Sequence, residues 1–201
     1  MPTLSNTPAV NLPLHNTHTH RPHHPMTHIR PATPADIPAL HALIESAYRG
    51  ESAKRGWTHE ADLLGGQRTD ADALAALLAN PEVMLLVAGE DSGTLTGCVQ
   101  GSRVGAGRAY LGLLTVDPAL QTQGLGRRLI AAIEVACATH FGAYVMEMTV
   151  IRQRTELIAY YERRGYALTG EARPFPLDDA RFGLPKTRAL EFVVLEKALR
   201  S

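Results

Sequence analysis

The residues from Asp117 to Arg128 read DPALQTQGLGRR. They stand between an apolar run, AYLGLLTV (109–116), and a stretch at about 126–140 in which Leu129, Ile130, Ile133 and Cys137 recur at helical spacing. Gly124 and Gly126, where that helix begins, let the backbone approach a ligand closely. A helix N-terminus offers unpaired N–H groups and the positive end of a dipole, which suits phosphate. Arg127 and Arg128 in the first turn oppose that dipole, a penalty that a bound polyanion reverses. Two other readings compete. A glycine-rich turn can simply start a helix tightly, with no ligand. A dinucleotide-binding turn requires a third glycine where Leu129 stands and a shorter connection than Asp117–Gln123. Glu147, downstream at about the spacing of a ribose-binding acid, does not compensate for these departures.

Two further groups have chemistry to offer. In YVMEMTV (144–150), Glu147 shares a strand face with Val145 and Thr149. A carboxylate amid apolar strand residues is either a base acting through water or the ion-pair partner of an arginine. In a helix at about 155–164, Leu157, Ile158 and Tyr161 share a face. Tyr161 is therefore expected to point toward the sheet, and Tyr160, one step round, to be more exposed. Read locally, Tyr161 is a core aromatic whose hydroxyl finds a partner. Gly165 ends this helix, and Arg163 and Arg164 suit its last turn.

Periodicity gives the elements that must position these groups. A strand at 28–30 precedes a helix at 34–48, whose Ile37, Leu40, Leu43, Ile44 and Ala47 keep helical spacing behind Thr33 as N-cap. A second helix covers about 70–79. Strands follow at 83–90, 94–103 and 109–116, then the helix at 126–140, a strand at 144–150, the helix at 155–164, and strands at 166–170 and 190–197. A strand meander followed by two crossovers predicts an α/β fold, with one central mixed β-sheet flanked by helices on both faces. The stretches 48–68 and 171–189 are long for simple connections and suit binding loops. The first holds the single tryptophan, Trp57, beside Thr58, His59 and Glu60.

Composition narrows the field. The chain has 201 residues, 45% of them hydrophobic, which suits one domain and a tail. Twenty basic side chains balance twenty acidic ones, so nothing calls for a nucleic acid or an anionic membrane. No apolar run approaches the roughly 20 residues of a membrane-spanning helix, and the N-terminus lacks the apolar core of a secretory signal. Residues 1–26 are rich in Pro, Thr, Asn and His and are expected to form a disordered tail, dispensable for stability and activity. His15, His18, His20, His23 and His24 lack the Cys or carboxylate partners of a structural metal site, and no metal is expected. Cys98 and Cys137 lie in apolar segments and read as free buried thiols in a reducing compartment, hence the cytoplasm.

These residues resemble the GNAT superfamily of N-acetyltransferases. Its signature, Q/R-x-x-G-x-G/A after a strand ending in V-x-P, is similar to Val116-Asp117-Pro118 followed by Gln121, Gly124 and Gly126. Its Y-x-x-x-G-F/Y segment is similar to Tyr161, Gly165 and Tyr166. The resemblance covers about residues 27–200, and the order of elements fits it. It implies an acetyltransferase domain at 27–201, acetyl-CoA as cosubstrate, and acetyl transfer to a primary amine by direct attack in a ternary complex. It also implies that Gln121 belongs to the cofactor site, that the backbone amides of about 123–128 (Gln123, Gly124, Leu125, Gly126, Arg127 and Arg128) bind the CoA pyrophosphate, and that Leu114, Thr115 and Val116 pair with the pantetheine arm through their backbone. Tyr161 inherits the role of general acid toward the departing thiolate, which a phenol titrating near about 10 can protonate.

The chain departs from the family pattern twice. Many members carry Asn seven residues before the tyrosine; here Arg154 stands there, able to meet CoA or to face the acceptor. Some members use a carboxylate on the strand before the loop as base; this strand has Gly112 and no acid between Ala109 and Val116, leaving Glu147 as the substitute. On the acceptor side, Tyr48, Trp57 and Glu60 are the expected contacts. The Gly56-Trp57-Thr58-x-Glu60 stretch resembles one in other members and names no substrate. A homodimer is compatible with the resemblance. The missing strand carboxylate keeps open a domain that holds CoA without turnover.

Overall fold

The computed structural model describes residues 27–49, 53–90, 93–179 and 183–199. The expectations for residues 1–26 lie outside the described residues. Strand β1 (His28–Pro31) turns through Pro34–Asp36 into helix α1 (Ile37–Tyr48). Asp36 fixes this corner: its carboxylate receives the Arg30 guanidinium at 2.8 and 2.7 Å and the Thr33 backbone N–H at 2.7 Å. Then come β2 (Leu64–Gly65), α2 (Ala71–Ala79), β3 (Val83–Gly89), β4 (Leu95–Gly105) and β5 (Arg108–Val116). The chain continues through α3 (Leu125–Phe141), β6 (Val145–Ile151), α4 (Thr155–Glu162), β7 (Ala167–Pro174), β8 (Leu184–Pro185) and β9 (Glu191–Ala198). Asp70 caps α2, accepting the Ala73 N–H at 2.7 Å.

The main sheet has seven strands in the order β1-β3-β4-β5-β6-β9-β7. β5 and β6 run parallel, and the other neighbours are antiparallel. Leu40 and Ile44 of α1 and Leu74 of α2 pack on one face, with Val87, Cys98 and Leu113. Leu129, Ile133 and Cys137 of α3 pack on the other, with Val99, Met146 and Leu195. The sheet is therefore mixed and covered by helices on both faces, as the crossover pattern predicts. Both cysteines are free and buried. No helix among the described residues is long and apolar enough to cross a membrane.

Two irregularities shape the site. Leu113 has φ +46°, and the β4–β5 register slips between Cys98 and Gln100. This bulge reverses the alternation of side chains along β5. Ala109 and Leu111 point to the α3 face, Leu113 points to the α1 face, and Leu114 and Val116 return to the α3 face. The second irregularity is a parting of strands: β5 pairs with β6 only over Arg108–Tyr110 and Val145–Glu147. Beyond Tyr110 the edge of β5 facing β6 has no strand partner among the described residues, and a slot opens there.

The stretches 48–68 and 171–189 depart from simple loops. β2 pairs with β8 in a separate two-stranded sheet, so the two segments join each other. Leu64, Phe175 and Leu190 form a small apolar cluster with Ile151 at the end of β6. β7 also runs beyond 166–170, reaching Pro174 across a slip between Leu168 and Ala172.

Candidate active site

The slot between β5 and β6 widens into a cavity of about 280 Å³. Leu114, Thr115 and Val116 form one wall, Gly124, Leu125 and Gly126 at the start of α3 form a second, and Arg154, Tyr160 and Tyr161 form a third. Tyr48, Trp57 and Thr58 close the remaining side. Groups separated by more than 100 positions thus meet where β5 and β6 part and the bulge turns Leu114 and Val116 to the α3 face.

The loop leading to α3 is held in an uncommon shape. Gly124, the N-cap residue, sits at φ +82°, and Thr122 at φ +79°. A β-branched residue with positive φ is strained by about 1–2 kcal/mol, and such strain persists only where the surroundings impose it. Gly126 lies under Tyr160: a Cβ there would stand 2.6 Å from the Tyr160 hydroxyl oxygen. Tyr160 is itself clamped, with Trp57 on one side at 5.1 Å between ring centroids and the Arg164 guanidinium 3.2 Å from its ring centre. Arg163 and Arg164 line the cavity and have no carboxylate partner among the described residues, and Nε of Arg164 is buried without a hydrogen bond. Arg164 also donates to the Tyr160 carbonyl at 2.5 Å. A phosphate-bearing ligand fits this set: it needs a side-chain-free backbone at a helix start and guanidiniums not already neutralised by a carboxylate.

Tyr161 is buried, yet among the described residues no group hydrogen-bonds its hydroxyl, and it lines the cavity. Burial pushes its phenol far above the usual value, and the nearby Tyr48 hydroxyl adds to this. The group is a protonated donor with no acceptor among the described residues. The Tyr48 hydroxyl, by contrast, donates to the Leu114 carbonyl at 2.7 Å and ties α1 to the bulged strand.

Of the anticipated cofactor residues, Leu114, Thr115, Val116, Gln121, Gly124, Leu125, Gly126 and Arg154 line the cavity, and Gln123, Arg127 and Arg128 do not. Arg128 reaches away, donating to the Thr27 carbonyl at 2.8 Å. Gln121 turns toward the loop carrying Trp57, whose backbone N–H it accepts at 2.9 Å. Arg154 also faces that loop: it donates to Glu60 at 2.9 Å and to the Thr58 hydroxyl at 2.7 Å. Glu60 lies behind the wall and also receives Arg49 at 2.8 Å. Its burial favours the neutral acid, but Arg154, Arg68 and Arg49 outweigh this and keep it ionised.

Glu147 departs from the catalytic expectation. It does not line the cavity, and its two oxygens receive Arg108 at 2.9 Å and Arg173 at 3.0 Å. Burial opposes its charge, yet these guanidiniums hold it below the usual carboxylate range. The geometry is that of the ion-pair reading. Tyr160 is more exposed than Tyr161, as its helix position predicts, but it still borders the same cavity. Sequence reasoning missed this because α4 ends over the mouth, so adjacent faces of one helix both look into it.

A model of the acetyltransferase (GNAT) family matches residues 39–166. Among solved structures, the ribosomal-protein-S18-alanine N-acetyltransferase of Escherichia coli is similar, with 16% identity, a TM-score of 0.63, and coverage of 88% of this chain and 96% of that one. So is yncA of Salmonella typhimurium, solved with its cofactor acetyl-CoA, at 20% identity, TM-score 0.64, and coverage of 88% and 95%. Ard1 of Thermoplasma volcanium is similar at 17% identity, TM-score 0.64, and coverage of 87% and 99%. At these identities the likeness is one of fold. A search of curated proteins gave no match.

Proposed function

Because the chain belongs to the GNAT acetyltransferase family, we propose that it transfers an acetyl group from acetyl-CoA to a primary amine by direct attack in a ternary complex. One observation carries this reading: Tyr161, whose hydroxyl has no hydrogen-bond partner among the described residues, lines the same cavity as the glycine-bearing start of α3. Bound acetyl-CoA supplies a thioester; the amine forms the C–N bond, the C–S bond breaks, the amine proton goes to solvent and the thiolate takes a proton. Tyr161 gives that proton and is later reprotonated from water. The free edge of β5 at Leu114–Val116 holds the pantetheine amides, and the N–H groups at the start of α3, with Arg163 and Arg164, hold the phosphates. Trp57, Thr58 and Arg154 border the acceptor. The two buried free thiols, Cys98 and Cys137, fit a reducing, cytoplasmic setting.

CoA should stabilise the protein against heat. A ligand of the native state at about 100 times its Kd adds about 2.7 kcal/mol, which in a domain of this size raises Tm by about 5–10 °C. No shift at millimolar CoA would sink the assignment of the cavity.

A second reading, a domain that binds CoA without turnover, is favoured by one feature: among the described residues that line the cavity there is no carboxylate or imidazole. Acceptor-dependent release of free thiol from acetyl-CoA separates the two. The same feature predicts a pH profile. With no enzymic base, kcat/KM for the amine should rise about tenfold per pH unit until the amine's own pKa, which lies between about 8 for an α-amino group and about 10.4 for a lysine. Because burial raises the Tyr161 pKa, no falling limb should appear in that range. An inflection between about pH 5 and 7 would instead place a carboxylate or imidazole in the proton path.

A further inference from the structure

Gln121 stands where the family signature begins, and its side chain makes an unexpected contact. Its Oε1 accepts the Trp57 backbone N–H at 2.9 Å, and its Nε2 leans on the Val116 carbonyl at 3.4 Å. Gly56 packs directly on the same amide: a Cβ at Gly56 would lie 2.6 Å from Oε1 and 2.8 Å from Nε2. The contact spans 64 positions of sequence and joins the loop that starts α3 to the segment from Ala53 to Glu60. That segment has a second anchor on the opposite side, where Arg154 holds Thr58 and Glu60. Trp57, fixed between the two anchors, lies against Tyr160 across the cavity mouth.

We propose that Gln121 is a positioning residue for the acceptor wall, residues 53–60, and that its side chain does not grip the cofactor. The wall's two anchors then differ in kind. Arg154 and Glu60 form a charged, partly buried tie. Gln121 forms a neutral tie at the rim, which sets how far Trp57 stands over the cavity. This extends the proposed acetyl transfer by assigning the acceptor side of the cavity to a residue of the cofactor loop.

The test uses Trp57 as a reporter, because it is the only tryptophan in the chain. In Gln121→Ala the released wall should let water reach the indole. Its emission should shift to the red, and acrylamide should quench it more strongly, while the Kd for CoA measured by calorimetry stays within about threefold, less than the loss of a hydrogen bond to that ligand would cause. Gly56→Ala should reproduce the fluorescence change by forcing the wall off Gln121 without altering the cofactor loop. Gln121→Glu keeps an oxygen that accepts the Trp57 N–H and should restore wild-type emission. With an amine that is turned over, Gln121→Ala should raise the acceptor KM about 3- to 10-fold. Unchanged Trp57 emission and quenching in Gln121→Ala, or a rise in CoA Kd of about tenfold or more, overturns the proposal. The fluorescence arm needs no turnover, so its result stands apart from whether the protein transfers acetyl groups.

Discussion

Tyr161→Phe should lower kcat by about 10²-fold, the lower end of the range for general acid catalysis, while the Kd for CoA stays within about twofold. The hydroxyl has no hydrogen-bond partner among the described residues and faces the cavity, so removing it leaves no protein group unsatisfied. Stability should therefore hold, which distinguishes this tyrosine from a core aromatic with a bonded tip. An interaction made only as thiolate charge develops appears in kcat rather than in ground-state affinity. The lower end is expected because thiolate is a tolerable leaving group, with a conjugate acid near about 8.5. Tyr160→Phe is a poor control, since Tyr160 covers Gly126 at the cavity mouth. Tyr166→Phe is a better one. Its hydroxyl donates to Glu134 at 2.8 Å, outside the cavity, and Lys197 still pairs with that carboxylate. It should lower Tm and spare kcat. Retention of most turnover in Tyr161→Phe would make the hydroxyl structural.

Gly126→Val should weaken CoA binding by about 10²-fold, the loss of one or two hydrogen bonds to a charged ligand. A Cβ on Gly126 would overlap the Tyr160 hydroxyl at 2.6 Å, and the Tyr160 ring is held between Trp57 and Arg164, so a branched side chain there intrudes on the helix start. Gly126 lies inside α3 and is absent from the glycines with positive φ. A side chain there costs the backbone nothing and reduces the entropy of the unfolded chain. The Cβ would nevertheless stand 2.6 Å from the Tyr160 hydroxyl, so Tyr160 must shift and Tm without ligand should fall; a cooperative unfolding transition well above the assay temperature separates the binding defect from loss of fold. Gly124 is less informative. Its φ of +82° makes any β-branched substitution strained, so a loss of affinity there would be confounded with loss of fold. Wild-type affinity in folded Gly126→Val would mean that the start of α3 is not the phosphate seat.

Much of this architecture could be read from local pattern. The strands of the main sheet and the helices at 37–48, 71–79, 125–141 and 155–162 are legible from local pattern, and Gly124 and Gly126 mark the helix start that borders the cavity. The rest depended on contacts that no local window contains. The β2–β8 pair joins Leu64 to Pro185, and neither two-residue strand has a period of its own. The bulge at Leu113 is invisible in an unbroken apolar run, yet it decides which β5 side chains meet the cavity. Glu147 could be read as base or ion-pair partner because Arg108 and Arg173 come from two other strands. Gln121 matched the family signature by type, but its hydrogen-bond partner is set by a segment 64 positions earlier.

The structure of the complex with acetyl-CoA tests the central claim most directly. The account predicts pyrophosphate oxygens on the backbone N–H groups at the start of α3, the pantetheine amides on the free edge of β5 at Leu114–Val116, and the thioester sulfur within about 3.5 Å of the Tyr161 hydroxyl, in reach of proton transfer. Acetyl-CoA bound with its pyrophosphate away from Gly124–Gly126, or with its sulfur out of reach of Tyr161, would contradict it.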